Sequence, residues 1–130
     1  MIEKLGNVRI RRNRNAMYGL VYELAVRVRP GRAGDEWRRI CELTAKDLFE
    51  EKWGLDEVET ACGDDWFAVH FSAPPHLSPG RLANSFKTVS SRRHASETGT
   101  KGLWREEYLL VASCGRPVGD AARAAWGEDG

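Results

Sequence analysis

Cysteine is scarce in this chain and poorly placed for chemistry. Only three occur, Cys41, Cys62 and Cys114, an odd and widely spaced set with no Cys-x-x-Cys pair to grip zinc or cycle a disulfide. A reducing, cytoplasmic setting is expected. Long apolar runs are also missing. No stretch approaches the roughly 18 apolar residues that span a bilayer, and residues 1–15 hold no apolar core of signal-peptide length, so neither membrane insertion nor secretion is expected. An excess of one charge is absent too: 20 basic and 19 acidic residues leave a formal net charge of +1. That balance excludes the strongly basic signature of a dedicated nucleic-acid binder, and any such role must rest on local patches.

What is present suits one soluble core. The 130 residues are 42% hydrophobic and 30% charged and include five Trp, enough for a single domain packed around large, shape-specific rings. Residues 1–14 form a basic arm rich in arginine. Residues 17–28 alternate, with Tyr18, Leu20, Tyr22, Leu24, Val26 and Val28 on one face, which predicts a half-buried strand. A Pro30-Gly31 turn follows, and residues 35–52 place Trp37, Ile40, Cys41, Thr44 and Leu48 at helical spacing. Residues 55–62 read as a weaker strand. Gly63-Asp64 turns the chain into residues 65–72, where Phe67, Val69 and Phe71 alternate.

Pro74-Pro75 cannot continue a central strand, and Ser78-Pro79 supplies a capping hydroxyl followed by proline at the first helical position. A second helix over 78–95 is expected, with Leu82, Phe86 and Val89 inward and Arg81, Lys87, Ser91 and Arg92 elsewhere on its surface. Residues 103–113 return as a strand. Arg116-Pro117 opens a short last helix with Val118, Ala121, Ala122, Ala125 and Trp126 along one side, so residues 117–130 form a C-terminal helix and acidic tail. The order β-α-β-β-α-β plus a helix predicts an α+β, ferredoxin-like split βαβ fold, an antiparallel sheet with both main helices on one face. The opposite face, carrying Glu23, Arg27, Trp66, Ala68, His70 and Ser72, is polar and mixed, and a site is expected there.

The run from Ser72 through Pro74-Pro75-His76-Leu77-Ser78-Pro79 to Ser90-Ser91-Arg92-Arg93, with Leu103-Trp104-Arg105-Glu106-Glu107-Tyr108 after it, resembles the insertion-sequence-200-like, single-tyrosine transposases. These belong to the His-hydrophobic-His class. The resemblance runs from about Arg14 to Trp126. It implies a strand in which two histidines hold a divalent metal that polarises the scissile phosphate, and a tyrosine on the last helix that attacks phosphorus. It also implies a glutamine four residues beyond the tyrosine, and a dimer in which the tyrosine helix of one subunit serves the other. Here the histidine positions fall on Trp66 and Ala68, which offer no imidazole lone pair. The tyrosine position falls on Trp126 or Ala125, no tyrosine follows Tyr108, and the glutamine position lands near Asp129 or Gly130. No metal or other cofactor is expected, and the catalytic positions are degenerate.

Other candidates carry two readings each. His70 shares strand parity with Trp66 and Ala68 and could bind metal from a shifted position, but a lone, satisfied strand histidine is the commoner case. His76 and His94 read as surface residues. Asp64 and Asp65 could offer carboxylates to Mg²⁺ or simply make a turn. Tyr108 could replace the nucleophile or serve structure. Trp66 and Trp126 either fill the space of a former wet site or give an unpaired base a stacking platform. Arg9, Arg11, Arg12 and Arg14, with Arg81, Lys87, Arg92 and Arg93, are the candidate phosphate contacts, against the reading of a solvated edge and helix surface.

Three functions follow. The first is a catalytically inactive, transposase-like homodimer that binds single-stranded or hairpin DNA or RNA. The second is a protein–protein interaction or assembly module without nucleic-acid binding. The third is an active DNA transposase with relocated catalytic residues.

Overall fold

The computed structural model describes residues 20–31, 34–113 and 115–127, together with the backbone pairing of four two-residue segments before them. Those segments form two small antiparallel pairs, Lys4–Leu5 with Val8–Arg9 and Arg11–Arg12 with Met17–Tyr18. The single strand expected over 17–28 is therefore divided. Residues 17 and 18 pair with the arginine segment, the main strand begins only at Val21, and Leu20 lies 40% exposed rather than in the core.

The main sheet has four strands: β1 (Val21–Val28), β2 (Asp56–Cys62), β3 (Trp66–Ser72) and β4 (Trp104–Ala112). Their spatial order is β2-β3-β1-β4 with every pairing antiparallel, which is the split βαβ arrangement. Helix α1 (Trp37–Ala45) links β1 to β2, and α2 (Pro79–Thr98) links β3 to β4. Ser78 caps α2 as its spacing implies, its Oγ accepting from the Arg81 amide, with proline in the first turn where a missing N–H costs nothing.

Both helices bury their apolar stripes on one sheet face. Leu24, Val26, Val28, Phe67, Val69 and Phe71 meet Trp37, Cys41, Leu48, Phe49, Leu82 and Phe86 there. The end of α1 widens into a π-helical stretch, Lys46–Lys52, in which the Trp53 amide reaches back to the Leu48 carbonyl at 2.9 Å. Leu48 and Phe49 both turn inward. Phe49 then sits 4.8 Å from Phe71 and 5.9 Å from Phe86 between ring centroids, spacings typical of attractive aromatic pairs.

The last helix, α3 (Asp120–Trp126), starts three residues after Pro117. Gly119 explains the delay. Its backbone is left-handed at φ 92°, a conformation that glycine adopts without strain, and an added Cβ would press on Ala61 and the Arg123 guanidinium.

Candidate functional site

The sheet face opposite α1 and α2 is covered by α3. Residues Ala25, Trp66, Ala68 and Ala122 form a second buried cluster, with Ala61, Leu109, Val118 and Trp126 packed around it. The part of this face around Trp66 and Ala68 is thus covered, because odd-numbered residues of β1 and even-numbered residues of β3 point to the same side and α3 lies over them. The two tryptophans stand in one neighbourhood. Trp66 is 1% exposed and Ala68 fully buried. Ala125, expected along the inner side of α3, is exposed instead; Ala122 takes the inner position.

Cations complete the packing. The Arg123 guanidinium lies 5.6 Å from the Trp66 ring and that of Arg27 5.4 Å from the Trp126 ring, within the range of cation–π attraction. Gly63 lies so close to the Trp66 indole that an added Cβ would collide with Nε1 and Cε2. The Trp66 N–H itself is buried without an acceptor among the described residues. Beside it Arg27 Nε and Asp65 Oδ1 are also buried without partners among the described residues, while Trp66 and Ala68 themselves offer no lone pair to a metal.

The polar element of this face is one carboxylate. Glu23, 1% exposed, accepts from the His70 ring at Nε2 (2.8 Å), from the Gly119 amide (2.9 Å) and from the Ala122 amide (2.9 Å). Two of the amides that a helix N-terminus leaves unbonded are thereby satisfied from the sheet, 96 and 99 residues away in sequence. Burial alone would raise the Glu23 pKa, but the hydrogen bonds from His70, Ala122 and Gly119 outweigh it and hold the carboxyl below its ordinary value. The sequence places Glu23 on the polar, mixed sheet face where a site is expected, but does not show what it bonds. Its partners lie in a turn that sequence spacing does not connect to it.

His70 is therefore a satisfied strand histidine, 5% exposed. His94 was expected at the surface but is 1% exposed, since it falls on the inner side of α2, where Nδ1 lies 3.3 Å from the Thr100 carbonyl. His76 is exposed. Asp65 is held by Arg27 at 2.9 Å, and Asp64 offers its carbonyl to Arg38. Tyr108 packs against the main core and beneath the Lys87 ammonium. Among the described residues no three His, Cys, Asp or Glu side chains form a group able to hold a metal ion.

The candidate phosphate contacts divide. Arg81 and Arg92 are exposed on α2. Lys87, expected on the free surface, instead donates to the Arg105 and Glu106 carbonyls at 2.9 and 2.7 Å, beside the irregular pairing between Val26 and Val28. Burial lowers its pKa. Arg93 bonds Asp47 of the π-helical stretch at 2.8 Å. Arg9, Arg11, Arg12 and Arg14 have side chains outside the described residues.

Fold and site together define a split βαβ protein whose own C-terminal helix packs over Ala25, Trp66 and Ala68 on the second sheet face. No protein-family profile matches the chain, and no curated protein sequence matches it. Among solved structures it is similar to a provisionally assigned transposase from Deinococcus radiodurans R1, with a TM-score of 0.68 and 21% identity over 88% of this chain and 91% of that one. Likeness at that identity establishes the shared α+β fold. No helix among the described residues is long and apolar enough to cross a membrane.

Proposed function

We propose that this chain is a transposase-related protein that keeps the fold and has given up strand transfer. The observation that carries the reading is the packing of Trp66 and Ala68 beneath Ala122 and Trp126. Those four residues occupy the positions, or the neighbourhood, where the resembled enzymes gather histidines, metal and tyrosine. A metal site needs several lone pairs converging on a wet cavity, whereas indoles and methyl groups favour closing it. What remains is binding, as a homodimer, of single-stranded or hairpin nucleic acid through Arg81, Arg92 and the arginine arm.

The test has two parts. With Mg²⁺ or Mn²⁺ the protein is expected neither to nick single-stranded or hairpin DNA nor to form a covalent adduct, and an adduct at Tyr108, Tyr18 or Tyr22 would sink the reading in favour of relocated chemistry. Hairpin affinity is expected to fall steeply with added salt, and Arg11→Ala with Arg12→Ala should lower the salt slope by about one per lost contact. A second reading, an interaction or assembly module, draws support from Lys87 and Arg93, which serve internal partners and leave α2 less basic than its sequence suggests. Hairpin affinity that is absent at low salt selects it.

A further inference from the structure

A recess opens on the α3 side of the sheet, at the end away from Trp66. It encloses about 330 Å³ and is lined by Val21, Glu59, His70, Ser113, Arg116 and Pro117, with Glu57 beside Glu59. Its walls have opposite charge. Glu59 stands on the edge strand β2, directly across from His70 on β3 in the strand register. Arg116 comes from the segment that follows β4, the strand at the opposite edge of the sheet. The exposed Glu59 and Arg116 have no side-chain partner among the described residues.

The floor between these walls holds a polar group without a partner. Ser113 is 4% exposed, and its Oγ has no hydrogen bond among the described residues. His70, 5% exposed, lines the recess beside it with Nε2 2.8 Å from a Glu23 carboxylate oxygen. A buried hydroxyl left unmade costs stability unless something supplies the missing partner.

We propose that this recess binds a small zwitterion of the free amino-acid class, its ammonium held by Glu59 and its carboxylate by Arg116 with the Ser113 hydroxyl. The assignment follows from charge and donor count. A simple anion would face Glu59, and a simple cation would face Arg116. A dipolar molecule satisfies both walls at once through charge-assisted hydrogen bonds. Val21 and Pro117 add apolar lining.

The experiment is an amide-resolved NMR titration of the isotopically labelled full chain with each of the twenty free amino acids, followed by the N-acetyl and the C-amide form of any that bind. At least one amino acid is expected to shift the amides around His70 and Ser113 saturably below about 10 mM, with both blocked forms weakened about tenfold or more. Glu59→Gln and Arg116→Met, both at exposed positions, should each weaken the free amino acid by a similar factor and leave the amides of α3 in place. Failure of all twenty to bind overturns the proposal, as does equal binding of an N-acetyl or amide form, or binding indifferent to both variants. Nucleic acid takes no part in this test, so its outcome is separate from that of the hairpin titration.

Discussion

The two faces of the sheet are held by different physics. The face under α1 and α2 is an aromatic core in which Phe67 stacks on Phe86 at 5.7 Å, Trp37 meets Trp104 edge-on at 6.2 Å, and Phe49 touches three further rings. The face under α3 is built from alanines, one buried indole and a single carboxylate that holds a helix of 7 residues. An isolated helix of that length does not persist in water, so its order comes from docking. One face is redundant, and the other depends on a latch.

The sharpest way to break this contrast is to truncate one ring on each side. Phe86→Ala removes a fully buried ring that contacts Phe49, Phe67 and Trp104, and it should cost about 3–5 kcal/mol of global stability. Thermal unfolding is the measurement. Trp126→Ala on the second face, where the ring is only partly buried, should shift the midpoint far less. Equal shifts would mean that the faces do not differ as argued.

Glu23→Gln comes next. A carboxylate accepts all three hydrogen bonds, whereas an amide has one oxygen and turns an NH₂ donor toward donors, leaving a buried group unmade at about 1–3 kcal/mol. The loss should be local. Hydrogen exchange at the Gly119 and Ala122 amides is expected to quicken while that of β1 and β3 holds, and uniform acceleration would show that α3 is integral to the core. Gly63→Ala should follow at about 1–3 kcal/mol, because the new methyl must displace the Trp66 ring. The near-ultraviolet tryptophan signal reports it.

The same contrast explains what the sequence revealed. Alternation in Leu24, Val26 and Val28 and helical spacing in Trp37, Ile40, Cys41 and Thr44 are written by a large apolar face, and all of these residues are buried. The α3 face leaves no such record. Trp66, Ala68, His70 and Ser72 read as a mixed, open surface, because a covering helix with alanines adds little to the hydrophobic pattern, and the bonds from Glu23 to Gly119 and Ala122 span most of the chain. His94 reads as a surface residue at a helix end, yet it continues the i, i+4 stripe of Leu82, Phe86 and Ser90 on the inner side of α2, which runs on to Thr98. The recess with Glu59, Ser113 and Arg116 was invisible, since three strands and a turn had to be assembled before its walls faced each other.

The smallest expected effect is one of pH, and its sign follows from Glu23. In the folded chain the carboxyl lies below its ordinary value of 4.5, with burial opposing and the bonds from His70, Ala122 and Gly119 prevailing. A depressed carboxyl contributes stability that is fully present above its unfolded pKa and is lost as pH falls through the folded one. Protonation removes the charge that holds two amides and an imidazole, so the contribution to α3 docking should fade as pH drops below about 4.5. Among the described residues the aromatic face has no buried carboxylate, and it should persist further into acid. On acidification the Gly119 and Ala122 amides are then expected to lose protection before those of β1 and β3, after correction for the intrinsic pH dependence of exchange. Glu23→Gln should abolish this acid-induced step while leaving later unfolding in place, because the variant has no proton to gain at that site. If wild type and variant loosen α3 along the same pH curve, the step belongs to other carboxylates, and Glu23 is not the latch.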